Sequence, residues 1–379
     1  MADATPAAPR TVSTATTWRF VTTFLIVLAS MVGMFVLDVA LARIDDREQR
    51  SNAADLYAEG AALLNNGNPT EAADRFASAV SMERSNHDYE LALAEAMLAD
   101  NRIDEARTTL TSLLSRAETD GAVNIAMART LVRGGDPESA KSYYHRAVYG
   151  RWRGDTAALR MRARRELIAL LVKRGESREL LAELLPLEDV YKDSVAFRRD
   201  LARAFLRAQS PNRALTVYRS LIDANRRDAV AYAGSGEASL ALGNFRDALR
   251  YLDEAHRLAP NDEHTAALLL EADSSRAMNP EERGLGAHRR LVRARALLAR
   301  TVAVLQECQA WTTMATDSAW SLRVQSQLAT KVRPTDEEDA GNAIIAEVTD
   351  LWATRPATCR AGRSPGDQAL VHVFAFLAQ

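Results

Sequence analysis

A period of 34 residues, beginning near residue 53, constrains this chain more than any other feature. In the last clear unit Tyr232, Gly236, Gly243, Phe245, Ala248, Leu252, Ala255 and Pro260 stand at positions 4, 8, 15, 17, 20, 24, 27 and 32. One period earlier, in 195–228, Leu201, Ala202, Ala214 and Tyr218 take positions 7, 8, 20 and 24. Unit 161–194 has Ile168, Gly175 and Leu184 at 8, 15 and 24, with Leu180 where the others hold Ala. Residues 155–160 shift the register by six. Before them, units 53–86, 87–120 and 121–154 follow without a gap. Ala72, Ala106 and Ala140 hold position 20 there, Phe76, Leu110 and Tyr144 hold position 24, and Gly60 and Gly67 supply positions 8 and 15 of the first.

The spacing has a physical reading. Each unit is two helices joined near position 15, where Gly or Asn ends the first helix. Small residues at 8 and 20 let the paired helices approach closely, and the larger residue at 24 fills the space beside them. One such pair cannot bury its apolar stripe alone, so neighbours must stack. The pattern resembles the tetratricopeptide repeat. The resemblance implies an all-α solenoid of six units over 53–262 that holds a protein or peptide partner in a concave face, with no cofactor and no turnover. Composition agrees with helix over sheet: aromatic content is 6% and Gly is limited to 17 residues.

The first residues carry a different signal. Residues 1–17 are rich in Ala, Thr and Pro and read as a disordered tail. From Trp18 to Ala42 the chain is almost uncharged, with Asp38 the one ionised residue between Arg19 and Arg43. Phe20 to Ala42 as a helix is about 35 Å long, enough to cross a hydrocarbon core of about 30 Å. Residues 18–42 are therefore expected to be a membrane anchor and 43–52 a linker. The rival is a cleaved signal peptide, since Ala40-Leu41-Ala42 has the small-x-small form of a cleavage site, but the apolar run exceeds a usual signal core. Arginines flank the segment almost equally on both sides. A short tail before a long apolar segment resembles a bacterial signal anchor, which puts the bulk on the periplasmic side of an inner membrane.

After residue 262 the register fades. His264–Met278 reads as a helix, Asn279-Pro280 breaks it, and Glu282–Gln309 reads as a long amphipathic helix with Leu291, Ala294, Leu298, Val302 and Leu305 on its apolar stripe. Residues 263–310 are thus expected to cap the solenoid. Residues 311–379 read as a small helical appendage with its own core. Thr335-Asp336-Glu337-Glu338 has capping-box form, and Ser364-Pro365 is a second helix start.

Chemistry is sparse. The six His form no HExxH pair and no dense cluster with carboxylates, and His256 and His264 fall on different helices. No GxxxxGK[ST] or GxGxxG loop exists to cradle phosphate, and Gly234-Ser235-Gly236 lies within a helix, not on a nucleophile elbow. No enzyme, metal or cofactor is expected. Two Cys build neither a disulfide scaffold nor a four-Cys zinc site. Cys308 and Cys359 read either as one bridge between the last capping helix and the loop 356–365, which the spacing permits if the compartment is oxidising, or as two unrelated buried thiols.

The formal net charge is −2, so bulk charge does not recruit nucleic acid, and no DNA partner is expected. Carrying over the family's concave positions 2, 5, 9 and 13 of each first helix collects Arg129, Arg133, Arg162, Arg165, Lys173, Arg199, Arg203 and Arg207 in the middle units. Guanidinium forks suit carboxylate or phosphate partners. The plain alternative is that all but four of the 48 basic residues are Arg, so any exposed face collects them. The expected function is a membrane-tethered scaffold with an acidic protein or peptide partner. An anionic-polymer binder (of RNA or acidic glycan) and an enzyme with its site in 311–379 are the alternatives.

Overall fold

The computed structural model describes residues 14–188, 193–308, 318–357, 359, 362 and 364–378. Among the described residues there are 17 α-helices and no strand. The chain divides into two compact bodies, one ending at Leu167 and the other beginning at Ile168.

The N-terminal body contains α1 (Thr14–Asn65), α2 (Pro69–Met82), α3 (His87–Ala99), α4 (Ile103–Arg116), α5 (Gly121–Arg133) and α6 (Pro137–Tyr149). These are three helical pairs, α1–α2, α3–α4 and α5–α6, and α2 and α4 also pack on the first helix of the next pair. The period explains the contacts. Ala72, Ala106 and Ala140 at position 20 are fully buried, and Phe76 and Leu110 at position 24 lie in the same interior. Position 8 must be small because position 24 leans on it. A Cβ on Gly60 would stand 2.8 Å from the Phe76 ring.

The helix α7 (Thr156–Arg174) carries the division between the bodies. It has 19 residues where α3, α5, α9 (Val195–Arg207) and α11 (Ala229–Ala241) each have 13. The register shift at 155–160 is therefore absorbed as added helix, not as a loop. Its partner α8 (Ser177–Leu184) is short, because a 3₁₀ turn containing Pro186 follows it directly.

The C-terminal body continues with α9, α10 (Pro211–Ala224), α11, α12 (Phe245–Leu258), α13 (Glu263–Met278) and α14 (Ala287–Glu307). The turn within every unit uses a left-handed residue at position 15: Gly67, Asn101, Gly135, Gly175, Gln209 and Gly243 all have φ between 52° and 83°. Gly and Asn take this conformation readily, and Gln209 takes it because the fold demands it.

Three expectations differ from the structure. Residues 43–52 form no linker: α1 runs for 52 residues straight into the first repeat, since 44–52 hold neither Gly nor Pro. The long capping helix starts at Ala287, not Glu282, because Gly284 sits at φ 82° and Gly286 is extended. The third concerns the appendage, which has helices α15 (Ser318–Ala329), α16 (Glu337–Thr354) and α17 (Pro365–Leu377). It does not build a core of its own. Ile344, Val348 and Leu351 of α16 and Leu370, Val373 and Phe374 of α17 share one core with Leu268 and Ala272 of α13 and with Leu291, Leu298 and Leu305 of α14. The helix start at Glu337 is present, but a 3₁₀ turn over Pro334–Asp336 introduces it and no capping-box bond forms. Ser364 does cap α17, accepting from the Asp367 N–H at 3.2 Å. The tail through residue 13 lies outside the described residues, and 14–17 are helical.

Candidate functional site

The eight cationic residues at positions 2, 5, 9 and 13, expected to be concave, divide between the bodies, and most are engaged within the protein. In the N-terminal body Arg129 Nε and Nη2 donate to the two carboxylate oxygens of Glu166 at 2.8 and 2.6 Å, a bidentate pair. Arg162 approaches the same carboxylate at 3.6 Å. Tyr144 Oη donates to it at 3.3 Å. Burial pushes the Glu166 carboxyl up, but the Arg129 hydrogen bonds and the charges of Arg129 and Arg162 outweigh it and hold it below the usual carboxylate range. Burial and the Glu166 charge push the Tyr144 phenol up to about 12. Nearby Glu95 is raised by burial, with Arg129 and Arg162 opposing. Arg133 reaches back to the preceding unit, donating to the Leu98 carbonyl at 2.8 Å and to Asn101 Oδ1 at 3.3 Å. It secures a turn. It does not present a free charge.

In the C-terminal body Arg199 donates to Asp228 Oδ2 through Nη2 at 2.8 Å and Nε at 3.2 Å. Asp228 is buried and its other oxygen caps α11, accepting from the Ala231 N–H at 3.0 Å. Arg203 lies 3.3 Å from Asp200 one turn back. The carboxyl of Glu237 is raised by burial and by Glu271, against the lowering charges of His264, Arg203 and His372. His372 comes from α17 and contacts Glu271 of α13 at 2.7 Å, so the C-terminal helix lies over position 9 of the seventh first-helix. None of this was visible from positions 2, 5, 9 and 13 alone. Glu166 and Asp200 stand at position 6, Asp228 belongs to the next helix start, and His372 is remote in sequence.

Three of the eight remain exposed without a carboxylate partner among the described residues: Arg165 in the N-terminal body, and Lys173 and Arg207 in the C-terminal body. Among the described residues no group of three or more His, Cys, Asp or Glu is disposed to hold a metal ion. Cys308, at the end of α14, and Cys359 are joined as a disulfide with Cα atoms 5.5 Å apart. The bridge and the ion pair of Arg300 with Asp367 both tie the last segment to α14.

Comparison with known proteins agrees with the paired-helix register. Two family profiles, each described as Tetratricopeptide repeat, match residues 63–129 and 199–263. Residues 63–129 and 199–263 are tetratricopeptide repeats. Solved structures similar to this repeat protein include a tetratricopeptide repeat protein from Parabacteroides merdae, at 14% identity over 64% of this chain and 91% of that one, with a TM-score of 0.39. The C-terminal part of a repeat-containing protein from Cytophaga hutchinsonii matches at 14% identity over 64% and 94%, with a TM-score of 0.43. YrrB, described as a TPR protein with an unusual peptide-binding site, matches at 15% identity over 51% and 97%, with a TM-score of 0.40. A search of curated proteins finds none that matches.

Proposed function

We propose that this repeat protein is a membrane-tethered scaffold that holds an acidic segment of a protein partner. The observation that carries the reading is the exposed pair Lys173 and Arg207 in the C-terminal body, with Arg165 left in the same condition in the N-terminal body, after the other five cations are spent on Glu166, Asp228, Asp200 and a backbone turn. A guanidinium or ammonium that the fold does not neutralise is available to a carboxylate from outside. The tether is supported by α1, which is long and apolar enough to cross a membrane and whose side chains from Phe24 to Ile44 pack against nothing in the protein. A tether raises the effective concentration of the groove near membrane-bound partners. Placement of residues 43–379 on the exported side of a bacterial inner membrane is supported by the Cys308–Cys359 bridge, since such bonds persist in oxidising compartments.

Copurification from detergent-solubilised membranes tests the reading. Wild-type protein is expected to retain one or a few proteins in stoichiometric yield. The triple variant R165E/K173E/R207E, altered only at exposed positions, is expected to lose them while keeping its melting temperature. Equal recovery by both proteins contradicts the concave cations as the docking site. An anionic-polymer binder would instead capture unrelated polyanions with an affinity that falls steeply with salt.

A further inference from the structure

The sixth unit is the last in which a second helix folds back on its first. In α1–α2, α5–α6 and α11–α12 the two helices pack along their length, whereas α14 barely touches α13, which packs instead along α17 through Leu268, Glu271 and Ala272 and leaves its position-8 face uncovered. The consequence shows at position 8, which the second helix normally covers. Gly60, Ala94, Ala128, Ala202 and Gly236 are all buried there. The seventh unit has Leu270 at that position, and it is 61% exposed. The sequence explains the failure. Where the second helix should run, residues 279–286 contain Pro280, Gly284 and Gly286, and position 20 is Glu282 instead of Ala. The slot beside α13 is left open as a groove of about 1180 Å³ that extends over α12 to α10. Ile222, Tyr232, Leu249, Tyr251, Leu269 and Leu270 give it an apolar floor.

Its rim carries more arginine than carboxylate: six arginines and four carboxylates line it. Arg226 and Arg257 pair with Asp223 and Glu254 of the lining and Arg250 with Asp247 beside it, which leaves Arg219, Arg246 and Arg276 facing Asp253 and Asp273. Two of the arginines, Arg246 and Arg276, share the single carboxylate of Glu282 with a third, Arg293. Arg219 has no carboxylate partner among the described residues: it donates to Tyr251 Oη at 3.0 Å and lies 5.9 Å from that ring. The apolar stripe a helix would present here is written in the chain itself, since α12 buries Phe245, Ala248, Leu252 and Ala255 against its own partner.

We infer that the open slot beside α13 receives an amphipathic helix of a protein partner, apolar toward Leu269 and Leu270 and acidic toward Arg219, Arg246 and Arg276. The partner supplies the second helix that the seventh unit lacks, a helix-in-groove mode distinct from the concave face. The inference rests on the reading of the chain as a protein-docking module, and it uses a different surface.

Fluorescence polarisation on the full chain in detergent micelles, with labelled synthetic peptides of 16 residues, the length of α13, tests it. The first peptide carries Phe, Ala, Leu and Ala at the spacing of Phe245, Ala248, Leu252 and Ala255 and Glu on its other faces. The second replaces Glu by Lys, and the third shuffles the stripe. The acidic striped peptide is expected to bind about tenfold more tightly than either control, as a buried anchor cluster with matched charge requires. L270E is expected to weaken it by about tenfold, and R219A by about threefold with a shallower salt dependence. Leu270 is exposed, so L270E keeps the wild-type melting curve. Equal binding of the lysine or shuffled peptide, or no effect of L270E, overturns the inference. A wild-type dimer that L270E dissociates assigns the slot to a second copy and also overturns it. Peptide binding lost in R165E/K173E/R207E but kept in L270E places the peptide on the concave face, which removes the slot and leaves the scaffold reading standing.

Discussion

Gln209 is where a single residue carries the cost of the repeat most plainly. It occupies position 15 at φ 52°, a conformation that four of the other five units assign to Gly and one to Asn. Left-handed backbone costs a non-glycine residue about 1–2 kcal/mol, offset in part by the extra entropy glycine loses on folding. Gln209→Gly is therefore expected to stabilise the C-terminal body by about 0.5 kcal/mol, read in urea unfolding. Gly236→Ala should act the other way. Its Cβ would stand 2.4 Å from Leu252 Cγ, so overpacking of about 1–3 kcal/mol outweighs the gain of about 1 kcal/mol in helix propensity. Glu282 sets a pH dependence. Burial opposes its charge, but the hydrogen bonds from Arg293 and Arg246 and the charge of Arg276 hold its carboxyl at about 2, below the ordinary 4.5. A depressed carboxyl contributes stability that is complete above 4.5 and is lost as pH falls through 2. Glu282→Gln is expected to cost about 1–2 kcal/mol at pH 7, allowing for solvent screening of the exposed arginines, and almost nothing at pH 2. Equal cost at both pH values would assign the effect to packing. These residue-scale facts were only partly legible. Position 15 is visible in the sequence as Gly or Asn, whereas the partners of the concave arginines come from position 6 or a following helix, and no spacing rule for one face exposes them.

At the scale of elements, the six helical pairs follow from the period because small-against-large packing at positions 8, 20 and 24 leaves one arrangement. Elements outside the period were less legible. The segment 43–52 is charged and reads as a linker, yet charge does not end a helix, and nothing there breaks one. Backbone amides of Ile44–Asn52 are accordingly expected to show hydrogen exchange slowed by at least about tenfold relative to an unstructured chain. Free exchange in this stretch would restore the linker. The shared core of α13, α14, α16 and α17 was illegible for a different reason: which face a terminal amphipathic helix covers is decided by tertiary packing, and His372 against Glu271 joins residues about a hundred apart.

At the scale of the whole molecule, an N-terminal helix long and apolar enough to cross a membrane, a series of helical pairs and a bridged C-terminal segment have to be consistent with one compartment. The disulfide closes a separation of 51 residues, and its reduction is expected to destabilise the C-terminal body by about 4 kcal/mol, seen as a lower melting temperature with reductant. A membrane-impermeant thiol reagent on intact cells is expected to label the protein only after reduction. Two free thiols that appear only after lysis would place the repeats in the cytoplasm. The central claim, that a membrane-held concave face grips a partner through its unneutralised cations, is tested most directly by site-specific photocrosslinking in intact membranes. A photoreactive residue at Arg165 or Arg207 is expected to give a discrete crosslinked product that the same residue at the exposed Arg107, outside both the concave positions and the slot beside α13, does not give. No product from either concave position, or the same product from all three, would contradict it.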